Sequence, residues 1–129
     1  YLQGNPFIWW SGLVVFVYWL FWLVGQLFKK IKDAEFFPIL LLVVGYAGNM
    51  LAYVFVNRVA FLYHYFPSLL FLFIGLGIFL AKYFSESKRV IIGFILIVII
   101  FFQFFSPLSY GLPLLDEAFQ ERVWLNSWQ

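Results

Sequence analysis

Four long apolar stretches, bounded by tight knots of charge, constrain this chain more than anything else in it. They fall at about residues 7–28, 36–56, 59–84 and 90–105, and a helix of roughly 20 apolar residues is what crosses the hydrocarbon core of a bilayer. The fourth is shorter, roughly 24 Å by helical rise. Of eight Lys/Arg and six Asp/Glu, all but Arg58 sit between Lys29 and Glu35, between Lys82 and Arg89, or between Asp116 and Arg122. Hydrophobic residues make up 65% and charged residues 11% of the chain, where a soluble domain runs at about 45–50% and about 25%. That leaves too little polar side chain to cover a water-facing globule. The stretches are apolar around their whole circumference, as lipid-embedded helices are, and do not alternate as barrel strands do. The reading is all-α: a polytopic integral membrane protein, one membrane domain over residues 1–129, with four transmembrane helices and an interfacial external segment over 106–129. Pro38 falls in the first turn of the second span, where its missing N–H costs nothing, and Pro107 is expected to close the fourth.

Basic residues set the orientation. Lys29, Lys30 and Lys32 lie between the first two spans, and Lys82, Lys88 and Arg89 between the last two, against Arg58 and Arg122 on the other side. The positive-inside rule puts both short basic loops in the cytoplasm and both chain ends on the external or luminal side. Trp9 and Trp10, and Tyr63 and Tyr65, then fall in the outer aromatic belt. A net charge of +2 with no basic tract offers nothing to a nucleic acid backbone. No cysteine and a single histidine argue against thiolate chemistry and a protein-built metal site, and nothing calls for a cofactor. The chain begins at Tyr1, without an initiator Met or a charged leader region, and reads as a piece of a longer polypeptide.

Most catalytic signatures are absent: no phosphate-cradling glycine loop with Lys, no HExxH, no Ser/His/Asp arrangement. Asp33-Ala34-Glu35 has the D-x-E spacing of a metal–sugar-nucleotide site, but beside three lysines it reads as a solvated turn between spans. Asp116 and Glu117 suit the start of a short interfacial helix, with Leu115, Phe119 and Val123 toward lipid. The spans hold no carboxylate of the kind ion-coupled transporters need. Their polar residues, Asn49 and Gln103, read as helix glue, beside a small-residue face of Gly45, Gly48 and Ala52. The stretch from Asn57 to Pro67 differs, since it gathers Asn57, Arg58, Tyr63, His64 and Tyr65 at one interface. If it is helical, Asn57 shares a face with His64 and Arg58 with Tyr65, because seven residues nearly complete two turns. If Pro67 opens the helix, 57–66 is a surface loop or short interfacial helix. In either form the donors gather where a lipid phosphate lies, and Arg binds such a group through its planar fork. Arg58 snorkelling to the headgroups beside belt tyrosines is the ordinary reading of the same residues.

Three runs occur in an order seen in one family. They are Gly4-Asn5-Pro6 followed by Trp9-Trp10; Tyr63-His64-Tyr65-Phe66-Pro67; and Ser106-Pro107-Leu108-Ser109-Tyr110-Gly111-Leu112-Pro113 followed by Trp124-Leu125-Asn126-Ser127-Trp128. On these runs the chain, from Asn5 to Trp128, resembles the C-terminal four-helix membrane region of the protein O-mannosyltransferases, membrane glycosyltransferases of the GT-C class. The resemblance implies transfer of mannose from a polyprenyl or dolichyl phosphate carrier to Ser or Thr of an acceptor protein, in the cell membrane of a prokaryote or the endoplasmic reticulum membrane of a eukaryote. It also implies that the catalytic acid lies in the N-terminal half of the enzyme, so no residue here receives a catalytic role and that half becomes a partner. The family's His-Tyr-x-Pro position maps onto His64, Tyr65 and Pro67. This favours Arg58 and His64, with Asn57, Tyr63 and Tyr65 in support, as contacts of the lipid carrier. The loops here are too short for the extracellular sugar-binding-like domain of eukaryotic members. The other reading of the chain is a non-catalytic four-helix membrane subunit that packs on a partner through Gly45, Gly48, Asn49 and Gln103.

Overall fold

The computed structural model describes residues 4–29, 33–54, 65–113 and 115–123. These residues form α1 (Pro6–Leu27), α2 (Phe36–Val54), α3 (Phe66–Phe84), α4 (Lys88–Tyr110) and the short α5 (Asp116–Gln120), with no strand among them. Four of the helices are long and apolar enough to cross a membrane. Helix is the form such sequences take in lipid, because it pairs every backbone N–H and C=O without water.

The helix ends follow local chemistry. Asn5 caps α1: its side-chain oxygen accepts from the amides of Phe7 (3.1 Å) and Ile8 (3.4 Å), and Pro6 supplies a first turn that needs no donor. α3 begins at Phe66 with Pro67 in its first turn. Pro107 does not close α4. The helix runs through it to Tyr110 and ends where Gly111 takes a left-handed conformation, φ 65°. There the Gly111 and Leu112 amides both turn back to the Pro107 carbonyl, the latter at 2.9 Å. A proline inside a helix deprives the carbonyl four residues earlier of its donor. Here that carbonyl belongs to Gln103, and the Ser106 hydroxyl donates to it at 3.1 Å. The serine before the proline replaces the lost bond, so the fourth helix covers Lys88–Tyr110 where 90–105 was expected.

The helices α1, α2 and α3 pack on one another, and α4 lies against α1 and α3. α1 and α3 run in the same direction: Gly12 of α1 meets Leu72, Trp19 meets Gly75, and Trp22 meets Lys82. α2 runs the opposite way, with Tyr46 against Phe16 and Phe36 in the far part of the core. The buried face of α1 is the stripe Gly12, Val15, Trp19, Leu23 and Gln26, at three- and four-residue spacing. Trp19 is 1% and Ile39 0% exposed. In lipid no hydrophobic term drives helices together, so close packing and interhelical hydrogen bonds must hold them. The indole N–H of Trp19 donates to the Gly75 carbonyl at 3.0 Å, tying α1 to α3 at the centre. At Gly45 a Cβ would stand 2.4 Å from the Phe71 ring, so glycine is what lets that ring rest on α2.

Among the described residues, Asn49 and Gln103, the expected polar glue, join no two helices. Asn49 donates to the Gly45 carbonyl of its own helix at 2.8 Å, Gln103 is exposed, and Gly48 has no neighbour within 4 Å of where its Cβ would be. Among the described residues the buried polar side chains are Gln26 and Ser68. Of the small-residue face proposed for a partner, Gly45 is taken up by Phe71 inside the bundle, while Gly48 and Ala52 are exposed. At the end where α2 begins, Asp33 accepts from Gln26 and pairs with Lys29 at 3.4 Å. Glu35 pairs with Lys82, whose ammonium lies 5.4 Å from the Trp22 ring centre. Asp33-Ala34-Glu35 is thus a turn whose carboxylates hold helices together.

Candidate functional site

At the opposite end of the bundle the starts of α1 and α3 meet the ends of α2 and α4. Of the five residues expected to contact a carrier, Tyr65 falls here, while Asn57, Arg58, Tyr63 and His64 lie outside the described residues. The Tyr65 hydroxyl shares a hydrogen bond with that of Tyr46 at 3.2 Å, and its ring stands edge-on to Trp9, centroids 5.9 Å apart. Burial first, and the bond to Tyr46 second, push the Tyr65 hydroxyl above the ordinary tyrosine value, so it stays protonated and able to donate.

Asn5 does a second job here that its place before Pro6 does not reveal. While its oxygen caps α1, its amide nitrogen donates to the Val98 carbonyl of α4 at 2.8 Å. The next aromatic, Phe7, lies between Phe94 and Phe101, 5.2 and 5.5 Å away between centroids. The start of α1 is therefore pinned to the middle of α4. Beyond the pin, Gly4 and Asn5 face Phe102, Phe105 and Tyr110 across a cavity of about 270 Å³, with Ser106 and Ser109 also in its wall. A Cβ on Gly4 would strike the Trp9 indole at 2.4 Å, so this glycine lets the chain run between the indole and the cavity. Farther along, the chain folds back after Gly111. Arg122 donates through Nε to the Phe104 carbonyl at 2.8 Å, and its guanidinium lies 4.6 Å from the centre of the Phe104 ring. That cation serves to hold the returning segment on α4. Among the described residues, no three His, Asp or Glu side chains gather as a metal site would require.

The sequence signals for this arrangement were Asn before Pro, Ser before Pro and Tyr-Gly at a helix end. Each announces a local cap or turn, and none announces that Asn5 and residues 102–110 share a cavity.

A four-helix membrane bundle with a hydroxyl- and ring-lined cavity at one end is a form suited to work at a membrane surface. The C-terminal four-transmembrane region of protein O-mannosyltransferase matches residues 1–128, and the chain belongs to that family. It is 32% identical to dolichyl-phosphate-mannose–protein mannosyltransferase 1 of Saccharomyces cerevisiae over 99% of this chain and 18% of that protein. It is 24% identical to the polyprenol-phosphate-mannose–protein mannosyltransferase of Corynebacterium glutamicum, over 100% of this chain and 25% of that one. To protein O-mannosyl-transferase 2 of Drosophila pseudoobscura pseudoobscura it is 25% identical, with the same two shares. The chain thus spans a quarter or less of these relatives. No solved structure matches it.

Proposed function

We propose that this chain is the carrier-binding membrane part of a protein O-mannosyltransferase, which takes mannose from a polyprenyl or dolichyl phosphate and joins it to Ser or Thr of a protein. The observation that carries this reading is the family match over residues 1–128, together with the meeting at one end of the bundle of residues from the runs that resemble the family: Asn5, Trp9, Tyr65 and Tyr110. The bond between the sugar's anomeric carbon and the phosphate oxygen breaks, and the electron pair leaves with the phosphate. The acceptor hydroxyl forms the new bond and yields its proton to a base, which lies in the rest of the enzyme. What this region supplies is stabilisation of the departing phosphate. Fixed cationic donors do that best where water is scarce, and Arg58 with His64 carries the role, aided by Asn57, Tyr63 and Tyr65. The tyrosine bonded to Tyr46 acts as a neutral donor held in place. The apolar helices give the carrier's tail its surroundings, and both chain ends lie on the external or luminal side.

The test is transfer from polyprenyl-phosphate mannose to an acceptor peptide by the whole enzyme carrying this region, with donor concentration varied. A charge-assisted contact is worth roughly 1.5–3 kcal/mol, so Arg58→Ala should raise the donor KM on the order of tenfold or more. Arg58→Lys should recover part of the loss, because a point charge does not reproduce the fork. An unchanged donor dependence in Arg58→Ala would return Arg58 to membrane anchoring.

A further inference from the structure

α2 brings to this end of the bundle a residue that its own stretch of sequence does not single out. Tyr46 is 9% exposed and lies among Leu69, Leu72, Leu13 and Phe16, its ring 4.4 Å between centroids from that of Phe16. Phenylalanine would fill the same space and make the same ring contact, so packing accounts for the ring and leaves the hydroxyl to be explained. A hydroxyl brought into apolar surroundings costs free energy unless it is hydrogen-bonded. Its partner is the Tyr65 hydroxyl, at 3.2 Å. The two rings stand edge to face, 6.5 Å apart between centroids, and Trp9 meets Tyr65 edge-on from α1. Tyr65 is thus held by α1 and by α2 together.

The pair has a direction. Two hydroxyls bring two hydrogens, one of which lies between the oxygens, and the other stays on the hydroxyl that accepts. Were Tyr65 the donor, the second hydrogen would sit on Tyr46, the more deeply buried of the two, against the hydrocarbon of Leu69, Leu72 and Phe16. A buried donor whose bond is not made bears its whole desolvation cost. With Tyr46 as donor, that hydrogen sits on Tyr65, half-buried at the end of the bundle, where an oxygen from outside can reach it. A hydroxyl that accepts one bond is also polarised into a better donor of the next. We propose that Tyr46 is a positioning residue: it donates to Tyr65 from inside the bundle, and so turns the Tyr65 hydrogen outward onto an oxygen of the carrier. The outward step rests on the reading of Tyr65 as a carrier contact; the direction of the pair rests on burial alone. Tyr46 acts only through Tyr65.

The experiment measures transfer from polyprenyl-phosphate mannose to an acceptor peptide by the whole enzyme in lipid nanodiscs. Tyr46→Phe keeps the ring against Phe16 and removes the hydroxyl alone. Its donor KM should rise about three- to tenfold, the size of one neutral hydrogen bond, while the KM for the peptide stays. A merely structural Tyr46 would lower kcat through the active fraction and leave the donor KM where it was. Two further substitutions test the direction. Tyr46→p-aminophenylalanine keeps an N–H donor and should restore most of the loss, whereas Tyr46→p-methoxyphenylalanine keeps only an acceptor and should not. Tyr65→Phe should cost at least as much as Tyr46→Phe, and the double variant no more than Tyr65→Phe, because the two act as one unit. The proposal is overturned if Tyr46→Phe leaves the donor KM unchanged, if the methoxy substitution serves as well as tyrosine, or if the two losses add. If Arg58→Ala raises the donor KM and Tyr65→Phe does not, the positioning role falls and the carrier reading stands. If neither raises it, both fall.

Discussion

The three-helix unit of α1, α2 and α3 and the fourth helix are attached by different physics. Within the three, buried stripes interlock along the bundle, with Trp19, Ile39 and Leu72 almost fully enclosed. α4 buries only Phe105 and Leu108 among its described side chains and meets α1 through particular contacts, the Asn5 amide on Val98 and the Phe7 ring between Phe94 and Phe101. Water would not tolerate so much bare apolar surface on one helix, but lipid solvates it without penalty. A membrane helix can therefore be held by a clasp where a soluble helix needs a face. The cavity sits beside the clasped helix.

The sharpest way to break this contrast is to empty the interlocked side of it. Trp19→Ala removes a buried ring and its bond to Gly75, and should lower stability by about 3 kcal/mol or more. Ile100→Ala, on the lipid side of α4, should change it by less than about 0.5 kcal/mol. Thermal unfolding in detergent micelles reads both, and equal effects would mean that α4 is as interlocked as the rest.

The clasp comes next in size. Asn5→Ala loses a cap worth about 1 kcal/mol and an interhelical bond of about the same worth. Asn5→Asp keeps the cap acceptor but has no amide hydrogen for Val98. Because the chain has no cysteine, spin labels can be placed in pairs, at exposed Val14 with Ile95 and at Val14 with Leu70. Both variants should broaden the distance distribution from Val14 to Ile95 and leave that from Val14 to Leu70 narrow. A distribution as narrow in Asn5→Asp as in the wild type would reduce Asn5 to a cap.

The smallest effect belongs to the other end of the bundle. The hydrogen bond from Gln26, with Lys29 and Lys82 adding to it, holds the Asp33 carboxyl below its ordinary value. A depressed folded value means that the contribution is fully present above the unfolded value of about 3.9 and is lost as pH falls through the folded one. Asp33 is at the surface, so the effect is slight. Unfolding followed from pH 6 down to pH 2 should show a shallower acid-side loss in Asp33→Asn than in the wild type, and identical slopes would remove Asp33 from the account.

The four spans could be read from the sequence because apolar length and charge spacing are properties of the chain alone. Which side of each helix is buried could not, since a helix that is apolar all round offers no pattern: Val14 and Val15 look alike, and one faces lipid while the other is enclosed. The end of α4 was misjudged because the proline penalty is real, and only the Ser106 hydroxyl on Gln103 cancels it. Tyr65 was grouped with Asn57, Arg58, Tyr63 and His64 by their nearness in sequence; in the bundle its hydroxyl meets Tyr46 and its ring meets Trp9. Asn5 was visible as part of a motif, but its partner lies 93 residues away, and no local rule reaches that far.

The clasp also makes α4 a lever. Its fulcrum is Val98, near the helix midpoint, and Tyr110 lies twelve residues farther on, an arm of about 18 Å by helical rise. A tilt of about 10° at that fulcrum swings the Tyr110 end of the arm by roughly 3 Å, the length of one hydrogen bond. The other arm ends at Lys88 and Arg89, whose charges follow the membrane surface. A thicker or thinner bilayer changes the tilt of a helix, and a tilt about Val98 would move the Tyr110 wall of the cavity relative to Asn5.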